Sequence, residues 1–349
     1  MMRNFNEEIL AYKLIIKKRL SFLLISFILC ILFFIIDIST GPAQLDLIVV
    51  CKALLSKIFD IDIQKIHVNI VYNLRLPMAL MAVVVGAALG LGGALMQTIL
   101  NNPLASPYTL GLSAAAGFGA SLMIAFNVSI ISSFFSIPLG AFLASLLSSS
   151  VLFMFAKNNN YNTQSLVLVG IALLFLFQSF LSLVQYLSSP EVSQQILFWL
   201  FGSLSKATYL NILIVFAVTI FVYLFLLKDN WALSVFRLGE KNAKVLGVNL
   251  VYLRIKVLFC VCLVSSVAIS FVGVIGFIGL VAPHIARIII GEDQRFFLPA
   301  SMIIGALFLS LASSVSKIIV PGALFPIGIV TSFIGVPFFF FIILRNKNA

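Results

Sequence analysis

Charge is scarce in this chain of 349 residues: only 9% are Asp, Glu, Lys or Arg, against roughly a quarter in a soluble domain. With 62% hydrophobic residues and a mean hydropathy of +1.19, that shortage excludes a water-soluble fold. Acid is scarcer still. Eleven Asp and Glu face 22 Lys and Arg, and no carboxylate falls in the middle of an apolar run; Asp37 stands at the end of one. Proton- and ion-coupled transporters keep ionisable groups at mid-membrane, so a solute moved by this chain draws its energy from elsewhere, and a channel stays open. Histidine occurs twice, at His67 and His284, with no H-E-x-x-H and no Cys/His cluster. His284, beside Pro283, reads as a structural cap or a ligand. Cys30, Cys51, Cys260 and Cys262 form no disulfide or metal framework and read as packing residues. The absence of G-x-x-x-x-G-K-[ST] removes a P-loop. No A-x-A-like site follows the apolar run Leu20–Ile36, which reads as a retained first span and not a cleaved signal.

What is abundant is apolar length. Ten runs, near 20–38, 76–99, 108–127, 134–156, 164–187, 207–227, 252–273, 275–290, 299–320 and 325–344, predict an all-α polytopic membrane protein in one domain spanning 1–349, with 34 Phe suited to lipid. Basic residues orient it. With the N-terminus inside, sixteen of the 22 Lys and Arg fall on inner segments, from Arg3 to Lys347, which puts both termini in the cytoplasm. The basic excess sits at the ends of apolar runs without interleaved aromatics, so it points to the lipid bilayer and not to nucleic acid.

Four features stand out. Ala79, Gly86, Gly90, Gly93 and Gln97 share one stripe of the helix that follows Arg75, the pattern of close helix packing. Gln178, Ser182 and Gln185 share a face of the fifth run, as a weakly polar pathway lining or as interhelical hydrogen bonds. The outer segment 39–75, with Asp46, Asp60, Asp62 and His67, reads as a short amphipathic cap. The inner segment 228–250 sets Leu238, Ala243, Leu246 and Val248 among charges, with Gly239 and Gly247 as punctuation. That pattern fits either a solvated loop or short helices docking on a protein.

Ordered motifs then narrow the reading. Arg75 and Pro77 precede Gly86, Gln97, Asn102-Pro-Leu-Ala105, Pro107 and Gly111. Trp199, Gly202 and Leu204 follow, then Leu238-Gly-Glu240 with Leu246-Gly-Val248. Gly276-Phe-Ile-Gly-Leu-Val-Ala-Pro-His284, Arg287, Pro326, Gly328 and Gly335-Val-Pro-Phe338 complete the series. From about residue 70 onward the chain resembles the FecCD family of ABC-transporter permeases, with the BtuC-like fold of type II importers, which take up ferric siderophores, haem and cobalamin.

The resemblance implies a non-enzymatic translocation subunit in the bacterial cytoplasmic membrane. It implies ten spans, a second permease subunit with the pathway between the two, a cytoplasmic ATPase dimer that holds ATP and Mg, and a substrate-binding protein outside; no cofactor is held by this chain. It favours docking for the inner segment and carries over Leu238, Gly239, Glu240, Ala243, Leu246 and Gly247 as the coupling positions. Gln97, Gln178, Ser182 and Gln185 become expected pathway residues. The chain also departs from the family pattern: Met78 replaces a second arginine, Ser313 and Lys317 replace an Asp and Arg, and Leu324 replaces a Glu. Arg75 and Lys317 remain as expected docking charges for the binding protein, and the departures suggest pairing with an unlike permease of the same family.

Overall fold

The computed structural model describes residues 2–43, 45–57, 59, 61–128, 133–157, 162–320 and 322–346; Asp60 and Lys347 lie outside them. Among the described residues there are helices and no strands. In order they are α1 (Met2–Ser39), α2 (Leu47–Leu55), α3 (Lys65–Ile70), α4 (Leu76–Ile99), α5 (Leu112–Ala125), α6 (Ser133–Lys157), α7 (Thr163–Leu187) and α8 (Pro190–Leu200). Then come α9 (Tyr209–Leu226), α10 (Asn230–Phe236), α11 (Glu240–Val245), α12 (Leu250–Val272), α13 (Ile278–Ile290), α14 (Gln294–Ile318) and α15 (Ile327–Asn346). Among the described residues seven helical stretches are long and apolar enough to cross a membrane, and α5, α13 and α15 are further apolar helices. The end of the bundle carrying α10 and α11 is called the near face below, and the opposite end the far face.

The core is a block of α4, α13 and α14, and the glycine stripe explains it. A Cβ on Gly86 would overlap the Gly305 carbonyl of α14, one on Gly90 the Ser301 carbonyl, and one on Gly93 the Gly279 carbonyl of α13. The stripe therefore faces other helices of the same chain, where backbones touch and dispersion contacts are dense. Replacing Gly93 with Ala is expected to force these backbones apart at about 1–3 kcal/mol or more. A lowered thermal transition in detergent would register it, while Gly276→Ala, with nothing within 4 Å of the added carbon, should leave the transition in place.

Between α12 and α13 the chain leaves helical geometry at 273–277, with Gly273 and Phe277 at positive φ. Helix α13, at 13 residues, is about 20 Å long and too short to span, so this connection lies inside the protein. Its backbone groups need partners there. The Tyr108 hydroxyl supplies two, donating to the Ile275 carbonyl and accepting from the Ile275 amide at 3.0 Å. The Ser203 amide donates to the Val272 carbonyl at 2.8 Å.

Candidate functional site

The near face presents a knuckle made by α10, α11 and their flanks. Positive φ at Gly239 (104°) and Gly247 (81°) turns the chain sharply on both sides of α11, a geometry that side chains with a Cβ rarely adopt. At these turns Leu238, just before the first, and Val245 and Leu246, just before the second, stand 66%, 86% and 51% exposed, beside exposed Lys241, Asn242 and Lys244. Three large apolar side chains thus stand exposed on a charged rim. Ala243 does not belong with them. It is fully buried and seals α11 onto the chain, so its expected role in partner contact is corrected to packing. Val245 does belong, and the apolar-charged alternation that singled out Leu246 passed it over.

Ion pairs brace the knuckle from behind. Glu240 is paired with Arg254 of α12, whose guanidinium also lies 5.3 Å from the centre of the Phe236 ring. Lys256 Nζ reaches Asp229 at 2.5 Å. Arg237 holds Glu292 of the α13–α14 turn with two bonds, Nε to Oε2 at 2.9 Å and Nη2 to Oε1 at 2.5 Å. Glu240, half exposed, thus spends its charge on fixing the segment's angle to α12.

The far face corrects two expectations. Arg75 is only 4% exposed, and its guanidinium donates to the carbonyls of Ile38 (3.1 Å), Ser39 (2.7 Å) and Ala43. Lys317 is buried in an ion pair with Asp37 at 2.7 Å, with side-chain exposures of 2% and 0%. Neither charge reaches the surface to meet a docking protein. An arginine needs several acceptors, and the end of α1 offers free carbonyls that satisfy it locally. Met78, Ser313, Lys317 and Leu324 line one hollow of about 20 Å³, room for about one water. The four departures from the family pattern therefore answer one another in space. Exposed cations on this face are Lys52, Lys57, Lys65 and Lys206, the last beside a cavity of about 730 Å³ walled by Trp199, Phe271 and Phe325.

The expected pathway residues separate. Gln178 and Ser182 lie exposed on the outward side of α7 among exposed Ile171 and Phe175, and Gln185, half-buried after them, has its carbonyl bonded by Ser193 Oγ of α8 at 2.9 Å. Gln97 is fully buried instead. Its Nε2 donates to the Leu280 carbonyl of α13 at 3.4 Å, so it is a packing residue and lines no pathway within reach of the other three.

Comparison with known proteins agrees with this architecture. The model of the FecCD transport family matches residues 29–345. The Fe(3+)-citrate import system permease protein YfmD of Bacillus subtilis is 31% identical over 337 residues, covering 95% of this chain and 98% of that one. The vitamin B12 import system permease protein BtuC of Vibrio cholerae is 33% identical over 282 residues, covering 80% and 84%. A solved inward-facing structure of a metal-chelate type ABC transporter superposes with a TM-score of 0.80 at 30% identity, covering 93% of this chain and 99% of that one. The bundle, its glycine-packed core and its braced near-face knuckle are those of a multi-pass ABC importer permease, and the chain belongs to the FecCD transport family.

Proposed function

We propose that this chain translocates a ferric siderophore across the bacterial cytoplasmic membrane, driven by a separate ATPase dimer and supplied by a substrate-binding protein. The observation that carries the coupling part is the knuckle: Leu238, Val245 and Leu246 are exposed together on a tip fixed by ion pairs, which is what a lever driven from outside the membrane needs. In this reading the near face and both termini are cytoplasmic. ATP-driven closure of the ATPases pushes the knuckle, the subunit tilts, and one end of the pathway opens as the other closes. Gln178, Ser182 and Gln185 line that pathway, because polar groups on an outward membrane face are better placed against a wet passage than in lipid. The binding protein meets the far face, where Lys52, Lys65 and Lys206 can orient it. Met78, Ser313 and Leu324 leave the chain short of family charges, so we propose an unlike permease as its partner.

Uptake measured side by side separates the cargoes. Proteoliposomes holding this chain, its ATPase and its binding protein are expected to accumulate labelled ferric siderophore and not cobalamin. The reverse preference would assign the cobalamin reading, toward which the B12 permease relative leans. A transport-competent assembly with this chain as its sole permease would overturn the unlike pairing.

A further inference from the structure

The coupling segment is tied to the membrane domain along two routes. One returns to α12, next in sequence, through Arg254–Glu240 and Lys256–Asp229. The other leaves the segment altogether and runs through Arg237. Its guanidinium holds Glu292 in the α13–α14 turn, bonds Asn101 Oδ1 at the foot of α4, and reaches the Gln97 carbonyl at 3.5 Å. Glu292 in turn lies 3.0 Å from Arg287 Nε of α13. The same junction is stitched by the Gln294 amide donating to Ser234 Oγ at 3.2 Å and by Thr98 Oγ1 with Gln294 Oε1 at 3.4 Å. One side chain, largely buried, thus joins α10 to the feet of α4, α13 and α14. Asn101 sits at φ 48°, in the left-handed region that Asn tolerates, and its side-chain Oδ1 accepts from the arginine.

Those three helices pack backbone against backbone. Gly86, Gly90 and Gly93 of α4 meet carbonyls of α14 and α13 with no space for even a methyl group, so a displacement applied at their feet passes upward as motion of one body. A planar guanidinium can satisfy two carboxylate oxygens and a third acceptor at once, whereas an ammonium is a point charge on a flexible stem.

We propose that Arg237 is the positioning residue that transmits displacement of the coupling segment to the α4–α13–α14 block. The proposal rests on the ATP-driven reading above, and the test separates the two. The full assembly, with ATPase and binding protein, is reconstituted with wild-type chain, Arg237→Ala, Arg237→Lys, Asn101→Ala and the exposed control Arg295→Ala. Uptake per ATP hydrolysed, ATPase affinity for the permease and the thermal transition are measured on each. Arg237→Ala should lower uptake per ATP at least tenfold with ATPase affinity within twofold of wild type. Arg237→Lys should fall between, Asn101→Ala should lose a smaller part, and Arg295→Ala should match wild type. A structural role alone would lower the thermal transition and leave uptake per ATP by the folded fraction unchanged. That result, or loss of ATPase binding in step with uptake, would overturn the proposal. If wild-type chain shows no ATP-driven uptake, the importer reading itself fails.

Discussion

Leu246→Asp is expected to abolish ATP-driven uptake and to weaken ATPase binding by about 30-fold or more, with helical content and membrane insertion unchanged. The magnitude follows from the position. Leu246 belongs to the exposed apolar triad with Leu238 and Val245, and truncating an interface anchor costs about 2 kcal/mol or more, a factor of about 30. A carboxylate there adds the desolvation of an unpaired charge. The fold is not at risk, because Leu246 is half exposed and the residue that seals α11 is Ala243. Glu240→Ala is expected to behave differently. It frees Arg254 from its pair and loosens the knuckle's angle, so ATP hydrolysis continues while uptake falls. Parallel measurement of ATPase affinity and uptake distinguishes lost docking from lost leverage.

Lys317→Met is expected to destabilise the chain by about 3–5 kcal/mol, because it strands the Asp37 carboxylate in a site with no exposure. Asp37 ends α1 and Lys317 ends α14, so their pair fastens the first helix to the core at the far face; Ser314 Oγ lies 3.4 Å from the same carboxylate. Restoring neutrality should recover most of the loss. Asp37→Leu with Lys317→Met is expected to lie within about 1–2 kcal/mol of the wild type, since replacing a whole buried pair by apolar groups is often neutral. Unfolding of the four members of this cycle in detergent checks it. A double variant destabilised by the sum of the two single-variant losses would show that the pair carries no coupling.

Most of the helical architecture was legible in the sequence, because lipid leaves a chain few options: apolar runs become helices, and glycines at helical spacing become close crossings. The stripe from Gly86 to Gly93 is read from local pattern alone. Charged groups were less legible. Arg75, Lys317 and Glu240 look like surface residues in isolation. Their partners at 38–43, at Asp37 and at Arg254 come from chain reversals that no local pattern records. The Arg237 junction was invisible for the same reason, its acceptors lying 55 and 136 residues away. Within the inner segment 228–250, the apolar tip could be read from apolar residues set beside two glycines, but only the fold separates buried Ala243 from exposed Val245.

Accumulation against a gradient decides the function most directly. Proteoliposomes containing this chain with its ATPase and binding protein, ATP supplied on the knuckle side, should concentrate ferric siderophore only while ATP is hydrolysed, and Leu246→Asp should stop it. Accumulation by this chain alone, driven by a proton or sodium gradient with no ATPase present, would contradict that assignment.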